Sequence, residues 1–320
     1  MVNNKYTKFI SKITQIEILL KIYTWVAVFM LLGISSPVTG QLQAWKAGSF
    51  TFRRVLDDVK LGKIPPGIAQ EQFVRQWLEF TQLLPPDTLE MRLVFPLWQR
   101  NVNAVGGKGR GYRPHGFDLF DRTVSGSHPA QDIFIWDRNK DGREDQQGIF
   151  WPVLAVRAGV VVDNNTQWDS TSTDRGGRYV WLYDAGTGGL WYYAHLQEVW
   201  VVPGQWLEAG QAIGTLGRTG KNAWAKRSDT HLHLMYLELD SNQNVRPKNP
   251  FDWLKEAHTA KEFSLPAQDR AFFISALPIS TPGIRLHTPT QPRALPTIDQ
   301  PPIKVQRLQG TINEFRSRAR

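Results

Sequence analysis

Seven histidines are present, and four stand where they could hold or serve a metal ion: His128 in HPAQD, His195 in YYAHL, and His231 with His233 in THLHLMY. Asp132, four residues after His128, adds a carboxylate at the head of the apolar run DIFIW. Residues two apart in an extended strand project to the same face, so one backbone segment aims His231 and His233 into one cleft. Two imidazoles and one carboxylate suffice as the protein ligands of a catalytic zinc, with the fourth tetrahedral position left to water. The chain has no cysteine, which removes thiolate sites, disulfides and a cysteine nucleophile, and leaves imidazole and carboxylate as transition-metal donors. No HExxH glutamate occurs either. Proton transfer at such a site would fall to a histidine, and activity would drop at acidic pH as imidazole loses its lone pair.

The elements that must position these groups read as strands. From Met91 to about Leu254, short β-branched and aromatic runs such as VLAVRAGVVV, RYVWLY, LWYYAHL and HLHLMYLEL are separated by Gly, Pro, Asn and Asp clusters. No helix-length periodic segments lie between them, so the spacing predicts a mainly β domain, an antiparallel sheet or sandwich whose loops form a groove. Eight of the thirteen tryptophans fall between Trp136 and Trp224, which suits the core of such a domain. Ahead of it, IAQEQFVRQWLEFTQLL over 68–84 places Phe73, Val74, Trp77, Leu78 and Phe80 on one helical stripe that stops at Pro85 and Pro86. Residues 41–66 show no strong period.

Charge divides the chain further. The net +9 of the 320 residues is carried mostly at the ends, +3 on residues 1–40 and +5 on 261–320, leaving +1 on residues 41–260. A nearly neutral central domain without a basic helix argues against nucleic acid as a partner. Residues 1–40 combine a basic stretch, the apolar run IYTWVAVFMLLGI over 22–34 and a small-residue exit, which reads as an export signal. Export would place the chain in the periplasm or cell envelope. The alternative is an uncleaved anchor in the inner membrane, the one route to membrane contact. The expected organisation is therefore a signal or anchor over 1–40, a helical segment over 41–90, the β domain over 91–256 and a basic tail over 257–320. Seven prolines between residues 278 and 302 favour extended, solvated chain in that tail.

The ordered set HPAQD, YYAHL, GQWLEAGQAIGTLGRTG, THLHLMY and NPFDWL resembles the lysostaphin-type, or β-lytic, zinc metallopeptidases, which cleave peptide cross-links in bacterial peptidoglycan. The likeness runs from about Arg92 to Leu254. It implies that His128, Asp132 and His233 bind zinc, that His195 and His231 are unligated catalytic histidines, and that the partner is peptidoglycan. The stretch between Gly220 and Thr230 is longer and more charged than the family pattern. Relatives that bind peptidoglycan or activate cell-wall amidases without catalysis typically lack several of these five positions, so the resemblance implies a hydrolase, with the non-catalytic activator as the alternative.

A second ligand-like pattern is DRNKDGRED. Asp137, Asn139, Asp141 and Asp145 occupy positions 1, 3, 5 and 9 of a calcium loop, with Gly142 at the turn. Gly148 stands where the bidentate glutamate belongs, so any calcium site here would lack one ligand. His115, His258 and His287 suggest no role of their own.

Overall fold

In strand β8 (His231–Leu239) the side chains alternate between two apolar layers: Leu232, Leu234 and Tyr236 enter one, Met235 and Leu237 the other. That period of two builds the sheet. The structure, a computed structural model, describes residues 48, 52–59, 61–84, 86, 92–121, 126–224 and 228–264, all within a single unit of the chain. The 22–34 apolar run, the signal or anchor expected over 1–40 and the proline-rich stretch lie outside these residues. No helix among the described residues is long and apolar enough to cross a membrane.

The other strands are β1 (Ala130–Phe134), β2 (Pro152–Leu154), β3 (Gly159–Asn165), β4 (Arg178–Asp184), β5 (Leu190–Val199), β6 (Trp206–Leu207), β7 (Ala212–Leu216) and β9 (Val245–Lys248). They form a nine-stranded sheet with the order β1-β8-β5-β4-β3-β6, in which β7 pairs β2 and β5, and β9 pairs β8. Every pairing is antiparallel, as the strand spacing predicts. On β3 and β4 the same alternation sends Val161, Val180 and Leu182 into the first layer and Val160, Val162, Trp181 and Tyr183 into the second.

The second layer is covered by helices. α1 (Pro66–Leu83) starts with proline in its first turn, where the missing N–H costs nothing, and buries Phe73, Val74, Trp77 and Phe80. The indole of Trp77 donates to the Gly188 carbonyl at 2.7 Å, and Tyr183 donates its hydroxyl proton to the Leu84 carbonyl at 2.9 Å. Each large side chain buried here stabilises the packing by about 1.5–3 kcal/mol. Residues 52–59 form a further helical segment where the sequence showed no strong period. Its Phe52, Val55 and Val59 are buried, and Phe52 lies 4.7 Å from the ring of Phe73.

The sheet system also outruns the boundary expected at residue 256. After α2 (Phe251–Glu256), His258 exchanges backbone hydrogen bonds with Leu93 and Phe95, and Ala212 donates to Ser264 at 3.0 Å. Phe263 is buried and stacks edge-on against Trp98 at 5.5 Å. Residues 257–264 are thus part of the β domain, because their partners are residues at its start and on β7.

Candidate metal centre

Register brings the first two groups together. Asp132 on β1 sits directly opposite His233 on β8, and His233 is in turn opposite Ala194 on β5. His128, in the loop before β1, is held by a two-way backbone bridge to Arg113, with N···O distances of 2.7 and 2.6 Å. Asp132 Oδ1 then lies 3.2 Å from His128 Nε2, 3.2 Å from His233 Nδ1 and 3.7 Å from His231 Nε2. Among the described residues, His128, Asp132 and His233 are the one set of three such side chains whose donor atoms converge, all within 4.8 Å.

Hydrogen bonds to carbonyls identify which ring nitrogens carry protons, since a carbonyl only accepts. His128 donates from Nδ1 to Gly111 O at 2.9 Å, His195 from Nδ1 to Thr219 O at 2.8 Å, and His231 from Nδ1 to Asp229 O at 2.6 Å. In the neutral form each ring is left with a basic Nε2. His128 is informative beyond this, because it faces an acceptor at both nitrogens. Such a ring must either carry two protons or hand its Nε2 lone pair to a cation. A tetrahedral ion with arms of about 2.0–2.1 Å separates its ligands by about 3.3 Å, close to the observed spacing around Asp132. The donor set therefore fits a divalent metal ion bound through two imidazoles and a carboxylate.

The electrostatics agree. Burial opposes ionisation of Asp132, yet the hydrogen bonds from His128 and His233 and the nearby imidazoles hold its carboxyl far below the ordinary range. The Asp132 hydrogen bond raises His128 despite the opposing effect of burial. Burial pushes His233 down, and pushes His195 well down with help from His231 and His233, so both favour the neutral form with a lone pair.

His195 owes its place to an irregularity. β5 pairs β8 up to Ala194 and β7 from Leu196, with a register shift just beyond. At this change of partner His195 adopts φ 68°, the left-handed region that β-strand residues avoid. Gly220, at φ 103°, lets the neighbouring turn approach: a Cβ there would meet Arg175 O at 2.3 Å and His195 Nδ1 at 2.9 Å. The rings of His195 and His231 come within 4.9 Å of each other. All five residues of the sequence pattern border one groove of about 700 Å³. Tyr192, which sequence reasoning passed over, also lines it, and so do Leu56 and Val59 of the 52–59 segment. The carbonyls of Gly111, Thr219 and Asp229 were equally invisible, since every residue has a carbonyl and only the fold selects these three.

The 137–145 loop behaves differently. Asp137 accepts backbone N–H bonds from Asp141 at 3.2 Å and Gly142 at 2.8 Å, and a hydroxyl bond from Thr230. Asn139 and Asp141 bond each other and the loop backbone, and Asp145 caps the Arg138 N–H at 3.1 Å. The expected calcium ligands are instead acceptors for the loop's own amides, and nothing in the structure supports calcium there. Alternate oxygen-bearing side chains fold a turn in the same way that they wrap a cation.

Residues 145–247 match the model of Peptidase family M23. Among solved structures, the LytM of Ruminococcus gnavus aligns at 21% identity over 58% of this chain and 72% of its own, with a TM-score of 0.37. The antimicrobial peptidase lysostaphin of Staphylococcus simulans aligns at 23% over 52% and 56%, with a TM-score of 0.32. A zinc containing peptidase from Vibrio cholerae aligns at 19% over 51% and 40%, with a TM-score of 0.31. No curated protein matches the chain. The family match holds His195, His231 and His233 and begins after His128 and Asp132. The chain thus resembles the lysostaphin-type peptidases, as its motifs implied, through a 145–247 segment that matches Peptidase family M23.

Proposed function

We propose that this chain is a zinc-dependent endopeptidase that hydrolyses amide bonds in peptidoglycan stem peptides or cross-links. The observation that carries the reading is the convergence of His128 Nε2, Asp132 Oδ1 and His233 Nδ1 beside two further imidazoles in one groove. In this reading those three residues hold the zinc. Zinc bound there supplies Lewis-acid polarisation to a carbonyl and to water.

The chain's own residues supply the rest. His195 and His231 have their Nδ1 protons tied to carbonyls, so each enters the reaction as a proton acceptor at Nε2. Once protonated at that atom, the same ring can stabilise a developing oxyanion or pass the proton to the leaving amine. Burial of His195 favours its neutral, accepting form at the start of the cycle. The groove walls fix the peptide across this pair, and removal of bulk water strengthens each of these polar contacts. The basic stretch and the 22–34 apolar run support export to the envelope, where peptidoglycan lies.

The test is digestion of purified sacculi by the full chain, with and without a chelator, followed by mass analysis. The expected result is release of peptides bearing new amino and carboxyl ends, loss of release with chelator and recovery on adding zinc. The new ends identify the bond. Binding to sacculi without release, unaffected by zinc, would overturn the reading in favour of a non-catalytic activator.

A further inference from the structure

Arg218 and Asp137 are both buried, at 6% and 7% exposure, and both reach the same hydroxyl. Thr230 Oγ1 accepts from Arg218 Nη1 at 2.6 Å and donates to Asp137 Oδ2 at 2.5 Å. The second arm of Arg218, Nη2, donates to Ser228 O at 2.7 Å. A hydroxyl with one proton and a cationic donor on its lone pair has no orientation left to choose. Thr230 is therefore clamped, and with it the turn 228–230 that enters β8.

That turn is what orients His231. Its Asp229 carbonyl takes the His231 Nδ1 proton at 2.6 Å, and Lys140 of the 137–145 loop pairs with the Asp229 carboxylate at 3.2 Å. On the other side of Arg218, the next residue, Thr219, presents the carbonyl that holds His195 Nδ1 at 2.8 Å. One short segment thus addresses both rings: Thr219 holds His195 directly, and Arg218 reaches across to the strand of His231. The loop supplies the counter-charge. Gly142, at φ 90°, turns the chain so that its amide meets Asp137 Oδ2, and an added Cβ would meet Phe150 at 3.1 Å.

We propose that the Asp137–Thr230–Arg218 bridge is a positioning device that sets the ring of His231 against that of His195, and that the 137–145 loop serves this purpose. The inference rests on the peptidase reading for its catalytic consequence, but the placement of the ring can be read without turnover. All three are buried, and none lines the groove. Their effect passes through the turn, so loss of the bridge lowers the rate after substrate has bound.

The test uses the full chain labelled with ¹⁵N-histidine. Long-range ring spectra of the wild type are expected to show His231 as a single tautomer protonated at Nδ1. In Thr230→Val, which keeps the shape and removes the hydroxyl, the ring becomes a mixture of tautomers. With sacculi fragments as substrate, kcat falls on the order of 10²-fold while KM stays within about twofold and zinc remains about one per chain. Thr230→Ser restores both spectrum and rate, which a mere packing role for Thr230 would not produce. Asp137→Asn, which leaves the hydroxyl in place, shows the same direction with a smaller change and serves if Thr230→Val does not fold. An unchanged His231 tautomer in the folded variants overturns the proposal. So does unchanged kcat in a chain whose wild type is active. If the wild type releases nothing from sacculi but the tautomer still shifts, the positioning stands and the peptidase reading falls.

Discussion

In the groove, Asp132 faces three imidazole nitrogens within 3.7 Å, whereas in the 137–145 loop Asp137 faces two backbone amides and a threonine hydroxyl. Both carboxylates come from sequences with ligand-like spacing. The difference is where their partners originate. Two of the three imidazoles at Asp132, those of His231 and His233, arrive from another strand by register, and only His128, four residues before it, is local. The amide partners of Asp137 lie four and five residues away, and a turn closes on itself. Ligand spacing within one short segment describes a turn as well as a site, whereas convergence across a sheet has no such local use.

The sharpest way to break this comparison is to remove a cross-strand imidazole. His233→Ala is expected to lose bound zinc by elemental analysis and to lower hydrolysis of sacculi by on the order of 10³-fold or more. Retained metal and rate would place the centre elsewhere. The comparison is sharpened next by the buried carboxylate of Asp163 on β3, which meets Tyr179 Oη at 3.1 Å and Arg53 Nε at 3.5 Å but no imidazole cluster. Burial raises it to about 6 against those two partners. Its folded pKa lies above the unfolded value, so the native state holds the extra proton between about pH 4 and pH 6. Stability is therefore lost as pH rises through that window, by about 3 kcal/mol at most. Urea unfolding of Asp163→Asn across the same range should show a flatter curve than the wild type.

A smaller effect is expected at the groove's turn. Gly220→Ala must accommodate a Cβ at 2.3 Å from Arg175 O in a left-handed backbone, and should cost about 2 kcal/mol in thermal or urea unfolding. The smallest change belongs to the loop. Addition of about 1 mM calcium should move Tm by less than about 1 °C, and Asn139→Ala, exposed at the loop tip, should cost less than about 0.5 kcal/mol. A clear calcium shift in calorimetry would reverse the reading of the loop.

Much of the site was legible because its signals are local. HLHLMY shows the period of a strand, and Asp132 opens an apolar run, so both same-face geometry and a strand start can be read directly. That Asp132 stands opposite His233 is a pairing across a hundred residues, and only the resemblance to known peptidases stood in for it. The same limit explains the boundary at 256: Phe263 looks like tail until Trp98 is seen beneath it. The 52–59 helix is a different case. Phe52, Val55 and Val59 do recur at helical spacing, but the segment is short, and its burial is decided by the sheet face and α1 rather than by its own pattern.

On β8 the odd-numbered side chains run without a break from His231 and His233 to Met235 and Leu237, so the floor of the groove continues beneath the helices. Leu56 and Val59 stand at that junction as part of the groove wall. The width of the opening is therefore written in a part of the chain that contributes none of the five converging side chains. Exchanging that helical fence is a means of reshaping the groove while the converging side chains of His128, Asp132 and His233 stay untouched.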